Sequence, residues 1–504
     1  MNKNLFPPMT TRNFQAGAIN RLTADWNPNS LTSFDYELWR TLRTMRRRSR
    51  DLCKNNDYAR KFLQMCVSNI LGPQGIRLQV RATDSKDRPN RQLSTRVEKA
   101  WTEWGKKKTA SVSQRQSWFD LQRLFVVMLA RDGEVLVHKR VMPNKFGFSL
   151  KLLNVDMLDE NYNRRLANGN RIIMGVELDP DDRRVAYWLR ENYAGLLLPT
   201  PTTWTYKRVP AEEILHCFVQ EDTEQTRGVP WLFTAIFRLR QLGAYEEAEV
   251  IGARIGASRM GFYKKPVGTE VEMVNRDAPP PVDEIEPGQF VELPDGWEVE
   301  SFHSEHPHTN YSDFVKSVLR GVASGLGVSY NGLAEDLEGV NFSSLRAGLL
   351  GEQSNWRVLQ KWVSENFHED IYPVWLESAL LTGAVTVRPR ELPQIQDPQW
   401  QPRGWPAVDP VKEAQAQQMR LAMGIEALSD LAAEAGDDFE EKLQRRRQDR
   451  ELMEQYGEKP PSFGAASGMS NPQKGGTDGQ TDSDSADSQS GESESESENE
   501  NIAE

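Results

Sequence analysis

The sequence predicts an α+β protein, mostly helical, with two β-containing regions and a disordered acidic C-terminal tail. Three observations carry this. Apolar residues recur at three- and four-residue steps over 31–70, 229–258 and 311–383. Apolar and polar residues alternate between Gly133 and Phe218, and again in short pieces between Met260 and Asn310. Residues 461–504 offer almost nothing to bury and carry ten acidic residues against the single Lys474.

Residues 1–30 are polar and rich in Pro and Asn, as in a flexible arm. In SFDYELWRTLRTMRRRSRDL, Leu38, Leu42 and Met45 share a helical face. Asn55–Asn56–Asp57 then offers caps for a second helix, YARKFLQMCVSNIL, which aligns Phe62, Cys66 and Ile70 and stops at Gly72–Pro73. IRLQVRA alternates like a strand with one wet face. EVLVHKRV and SLKLLNVD read as strands. RIIMGVELDPDDRRVAYWLRE reads as a hairpin turning at Asp179–Pro180–Asp181–Asp182.

GVPWLFTAIFRLRQLGAYEEAEVIGARIGAS is a helix pattern with Pro230 at its first position, about 45 Å long if helical over 229–258. Met260 to Asn310 is Pro-rich with short strands, a small insertion between helices. Ser312 should cap DFVKSVLRGVASGLGVSY, whose Phe314, Val318 and Val322 share a face. The polar loop EDLEGVNFSS leads to a longer helix in which Trp356, Leu359, Val363, Phe367, Ile371 and Trp375 form one stripe. Pro373 should kink it. A Pro-rich segment, ELPQIQDPQWQPRGWPAVDP, precedes a last helical pair over Val411–Glu434 and Asp437–Tyr456. There is no internal repeat.

The chain has 504 residues, 38% of them hydrophobic, enough for a large core or two to three domains. Mean hydropathy is −0.65. No apolar run approaches the roughly 18 residues of a membrane span. MNKNLFPPMTTRNFQ lacks a signal-peptide core. The expected setting is the cytosol, or a particle assembled there, with no membrane partner. Cys53, Cys66 and Cys217 are too scattered for a disulfide framework and read as buried thiols. The net charge of −11 resides mostly in the tail, so the near-neutral body is compatible with a nucleic-acid partner.

Chemical motifs are largely missing. There is no GxxxxGK[ST], HExxH or GxSxG, and GVASGLG has the wrong order for a dinucleotide site. His303, His306 and His308, with Glu305, could hold Zn²⁺ or Ni²⁺, but Pro307 and the loop setting favour a solvated surface. His138 and His216 read as structural. No catalytic residue, metal ligand or cofactor is assigned, which favours a structural or interaction protein over an enzyme.

Two basic features remain. Arg43, Arg46, Arg47, Arg50 and Lys54 recur on one helical face, with Arg40 and Arg48 nearby. Such a stripe can contact phosphates without reading sequence. The competing reading is an ion-paired face, since Asp35, Glu37, Asp51 and Asp57 are close. Lys316 and Arg320 lie four apart, away from Phe314 and Val318, and alone make an ordinary wet face.

The order of parts resembles the lambda-type family of tailed-bacteriophage portal proteins. The resemblance rests on RRRSRDLCKNNDYARKFLQMCVSNILGPQGIRLQ, on RGVPWLFTAIFRLRQLGAYEEAEVIGARIGA, on PGQFVELPDGWEVESFHSEHPHTNYSDFVKSVLRGVASGLGVSYNGLAEDLEGVNFSSLRAGLL and on WPAVDPVKEAQAQQMRLAMGI. These blocks cover much of Asp35 to Glu434 in family order. The resemblance implies a homo-oligomeric ring, usually of twelve subunits, at one vertex of the virion's capsid and assembled in the host cytoplasm. It implies a channel for DNA packaging and ejection. Implied partners are the terminase motor, major capsid and scaffold proteins, a head-tail adaptor and double-stranded DNA passing through.

Placed on that plan, 31–228 is a wing, 229–259 a first stem helix, 260–310 a clip and 311–334 a second stem helix. A tunnel loop follows at 335–344, then a long kinked wing helix and its following segment at 345–400, a crown at 401–456 and the tail at 457–504. A channel must avoid gripping phosphates tightly, and a near-neutral body with a few cations meets this. Lys316 and Arg320 would form bands of charge around a ring. Gly339 would give the loop freedom, Asn341, Ser343 and Ser344 weak polar contacts, and Phe342 a packing anchor or blunt tip. Glu335, Asp336 and Glu338 would repel phosphate or face a neighbour's arginines. Two other readings are a metal-dependent nuclease built on the 303–308 histidines and a capsid scaffold or adaptor without a channel.

Overall fold

A computed structural model describes residues 33–83, 88–191, 204–257, 261–264, 298–301, 310–406 and 410–457. The chain divides into a large unit, 1–442, and a C-terminal unit from Leu443. The fold is α+β.

Helices α1 (Phe34–Asn55) and α2 (Asp57–Ile70) are separated by Asn56 alone. Its N–H closes α1 on Leu52, and its side chain accepts the Ala59 N–H at 3.0 Å, so one residue ends one helix and starts the next. β1 (Arg77–Gln79), α3 (Arg91–Trp104), the short α4 (Lys107–Ala110) and α5 (Trp118–Asp132) follow. A reciprocal Ser117–Asp120 capping box starts α5. Gly133, at φ +87°, ends it.

The β region holds β2 (Val135–Val141), β3 (Phe148–Leu153), β4 (Arg164–Arg165), β5 (Arg171–Ile173), β6 (Val176–Leu178), β7 (Arg184–Arg190), β8 (Tyr206–Pro210) and β9 (Ile214–Cys217). They form a three-stranded sheet ordered β3-β2-β9 and an antiparallel meander running β4 to β8. The expected single hairpin is three strands. Met174–Gly175, both at positive φ, turn β5 into β6 in two residues, and Asp179–Asp182 turns β6 into β7. A Met in the left-handed region hid the first turn from sequence reasoning.

α6 (Ile236–Ala257) starts later than expected and spans about 33 Å. Pro230 is not its first residue. The Trp231 N–H goes instead to the Ala130 carbonyl at the end of α5. The preceding segment is pinned by contact between backbones: a Cβ on Gly228 would lie 2.1 Å from the Gly133 oxygen. β10 (Gly261–Lys264) and β11 (Glu298–Ser301) pair antiparallel and close the base of the insertion.

α7 (Tyr311–Leu326) packs antiparallel against α6. Ser312 is not its cap; Asn310 precedes the helix and Ser312 lies in its first turn. Its buried face is Leu319, Val322 and Ala323. Phe314 is half exposed and meets the Tyr245 ring edge-on at 5.0 Å. Gly327, at φ +69°, ends α7, and the short α8 (Tyr330–Ala334) follows.

α9 (Phe342–Val363) and α10 (Glu369–Leu381) are joined by a π-helical turn, Ser364–His368. Pro373 lies inside α10, and the break in helical register comes before it. The stripe explains why. Four-residue steps drift about 40° each around an α-helix, and a wider turn brings Phe367, Ile371 and Trp375 back to the core. There they meet a tryptophan cluster in which Trp101 lies 4.7 Å from Trp104 and 4.9 Å from Trp375.

β12 (Gln399–Gln401) pairs with β1. α11 (Pro410–Ala422) and α12 (Leu428–Glu434) replace the expected single helix, divided at Gly424, which has φ +69°. α13 (Phe439–Gln455) matches the expected last helix to within a few residues. The three cysteines are buried and unpaired.

Candidate nucleic-acid interface

The loop after α8 runs from Glu335 to Val340 and is held by three carboxylates. Glu335, at φ +54°, pairs with Lys61 on α2. Asp336 accepts the Tyr330 hydroxyl at 2.8 Å and lies 3.6 Å from Lys316. Glu338 accepts a hydrogen bond from the same ammonium at 2.9 Å. The Glu338 bond and the charge of Asp336 hold the Lys316 ammonium above its ordinary pKa. The Tyr330 bond, the Glu338 N–H and Lys316 hold Asp336 below the usual carboxylate range.

Arg320, one turn beyond Lys316, places its guanidinium 5.4 Å from the centre of the Tyr330 ring. Lys316, Arg320, Tyr330 and Asp336 thus form one chain of contacts. The two cations are brought together, and the acids of the loop lie on them. From the sequence these acids were expected to repel phosphate or face a neighbour's arginines; the fold sets Asp336 and Glu338 on Lys316 of the same chain. That pairing depends on the fold, since 22 residues separate Lys316 from Glu338.

The remaining loop candidates fall elsewhere than expected. Asn341 is the N-cap of α9, accepting the Ser344 N–H at 2.8 Å and its hydroxyl at 2.8 Å. Ser344 is therefore already bonded, and Phe342, Ser343 and Ser344 belong to the helix and not to the loop. The side chains of Phe342 and Ser343 lie outside the described residues. Asn341 with a hydroxyl three residues on is a local capping signal, set within a run of small polar residues. Beneath the loop, between α2, α8 and α9, is a cavity of about 610 Å³, lined by Met65, Leu337, Leu345, Trp356 and Trp405 among others.

The basic stripe of α1 divides in two. Arg46 is buried and bonds Glu134 at 2.6 Å and Asp156 at 3.3 Å. Arg50 bonds Asp132 at 2.6 Å and Asp156 at 2.5 Å, and Arg43 pairs with Glu160. Their partners are distant in sequence. Arg47 and Lys54 are exposed. Glu134 is the centre of this network and is also held by Arg227 and His216. Burial alone would raise its carboxyl, but Arg227, Arg46 and the His216 bond hold it well below the usual range. Burial pushes His216 down to about 4, against the pull of Glu134. It is therefore neutral at pH 7, and its Nε2–H donates at 2.9 Å. His138 stands 3.3 Å from Glu213. His303, His306 and His308 lie outside the described residues.

The profile of the family described as phage portal protein, lambda family, matches residues 20–360. The chain is similar to the probable portal protein of Halomonas phage phiHAP-1, 33% identical over 439 residues covering 86% of this chain and 85% of that one. It is 24% identical over 500 residues to portal protein B of Escherichia phage lambda, covering 91% and 92% of the two chains. Among solved structures, the neck of an empty GTA particle overlaps 79% of this chain and 94% of its own, with a TM-score of 0.46 and 13% identity.

Proposed function

Because the chain belongs to the lambda family of phage portal proteins, we propose that its copies assemble into a ring at one capsid vertex and conduct double-stranded DNA. The observation that carries this is the family match over residues 20–360, which spans α1 to most of α9. On this reading the chain is structural and not catalytic. It docks the terminase and later a head-tail adaptor, meets the capsid and scaffold proteins during assembly, and numbers twelve to the ring. Residues 31–228 form the wing, α6 and α7 the stem, 260–310 the clip and 401–456 the crown.

The contacts of the loop support a passive conduit. Lys316 and Arg320 supply positive charge on α7, and Asp336, Glu338 and Tyr330 already engage it. A phosphate would meet a cation that has a competing anion within the same chain. That lowers the grip on any one phosphate, as movement of DNA requires. The loop at 335–340 acts as the tunnel loop, with Asn341 anchoring it to α9.

The test is direct. Purified full-length protein imaged in negative stain should show rings with a central hole, and light scattering should give a mass many times that of one chain. Monomers at every concentration and salt tried would sink this reading. Rings without a hole would favour the scaffold or adaptor.

A further inference from the structure

We infer that neighbouring copies meet through the outward face of α6 on one chain and the loop–α9 face of the next, steered by opposite charge. This rests on the ring proposed above and identifies the surfaces that close it.

α6 has two apolar faces. One, with Ile236, Leu239 and Leu242, is buried, and the helix lies against α1 and α7. The other carries Phe237, Ala244, Ala248 and Ile251, with the polar Gln241 interrupting the stripe, all exposed. Phe237 is 66% exposed even with Arg48 over its ring. Arg238 and Arg240 flank this stripe, exposed and with no ion pair among the described residues. One end of α6 is thus aromatic, bare and positive.

The start of α9 has the opposite character. Ala347, Gly348, Gly351 and Ser354 are exposed, with Leu350 beside them, and nothing lies within 4 Å of a Cβ built on either glycine. The result is a shallow trough of small residues, which admits a bulky side chain. The rim before it is acidic: Glu335 and Glu338 pair with lysines at one edge yet stay 73% and 81% exposed. Knob meets trough, and cation meets anion.

The heights also agree. Thr234 donates to the Gly325 carbonyl at 3.0 Å, Arg238 lies against Gly321, and Tyr245 stacks near Tyr311 at 5.8 Å. Lys316, which holds Glu338, therefore sits level with α6 residues between Arg238 and Tyr245. Rotation about a ring axis along the stem preserves height. Such a rotation carries the acidic rim of one copy to the basic end of α6 on the next, a head-to-tail contact that can repeat and close.

Two full-length variants test this, Arg238→Glu/Arg240→Glu and Glu335→Arg/Glu338→Arg. Each faces like charge with like at every junction, so each should lose the ring peak in size exclusion with light scattering while keeping its circular dichroism. Mixed one to one, they should regain it, since alternating copies restore opposite charge at each junction. Gly351→Trp fills the trough where a single chain has open space and should also abolish the peak. Rings that persist in both charge variants and in Gly351→Trp, or variants that stay apart on mixing, would overturn the interface alone. A wild-type protein that never forms rings would overturn the ring as well.

Discussion

Glu134 and Arg227 form an ion pair with no exposed side-chain surface on either partner, Nη2 lying 2.5 Å and Nε 2.9–3.0 Å from the carboxylate oxygens. The same carboxylate takes Arg46, His216 and the Gly228 N–H. Replacing Glu134 by Ala leaves the buried Arg227 guanidinium without its paired carboxylate and Arg46 with Asp156 alone. The expected cost is roughly 3–5 kcal/mol, seen as a lower midpoint in urea with little change in slope. A loss below ~1 kcal/mol would mean that water enters the site.

His216 and Glu134 set the direction of acid sensitivity. Both are held below their ordinary pKa values, His216 at about 4, so the unfolded chain binds more protons at low pH. The His216 contribution is complete above about pH 6.5 and is lost as pH falls towards about 4. In His216→Gln, the decline in melting temperature between pH 7 and pH 4 should be shallower than in the wild type. An unchanged slope would show that other groups dominate.

Glu98 has the opposite sign. Burial raises its carboxyl to about 7, against the bond it accepts from the Val80 N–H, and Asp438, Glu440 and Glu441 raise it further. Stability from its protonated form is present below about pH 4.5 and lost as pH rises through about 7. Glu98→Gln keeps an acceptor for Val80 and removes the charge. It should melt higher than the wild type at pH 8 and match it near pH 4; equal melts at pH 8 would refute this.

Gly133 admits no side chain. Its φ is +87°, and a Cβ would lie 2.2 Å from the Val229 carbonyl carbon. Gly133→Ala must push the 228–230 segment off the end of α5, together with Arg227. The expected loss exceeds ~3 kcal/mol, with the protein recovered mainly in the insoluble fraction. Soluble protein with a normal melt would show that the two segments can separate.

Lys316→Ala/Arg320→Ala should leave rings intact and weaken their binding to duplex DNA. The slope of log affinity against log salt should also flatten, because fewer counterions are released. Fluorescence anisotropy over a salt series measures both. An unchanged slope would place these cations away from the DNA.

Much of the fold was legible because its signals were local. The caps at Asn56, the α1 and α2 faces and the alternation in β2 and β3 all lie within a few residues of what they specify. The misses depended on distant partners. Trp231 spends its N–H on Ala130, which delays α6. Arg46 and Arg50 look like a surface stripe until Glu134, Asp132 and Asp156 fold onto them. At the loop, the sequence displayed acids and cations separately, and only the packing of α7 against α8 made them partners. The Asn341 cap was a local signal hidden inside a run of small polar residues.

The π turn at Ser364–His368 has a consequence for reading other members of this lineage. It amounts to one residue more than an unbroken α-helix between Val363 and Ile371 would need. A relative lacking that residue would carry a regular helix there and still present the same face after it, because the wider turn absorbs the extra residue. In a sequence comparison the difference would show as a single-residue gap inside a helix, where gaps are otherwise hard to place. Such a gap would mark the point at which two lineages keep the same face of the long helix on the core with one residue more or less.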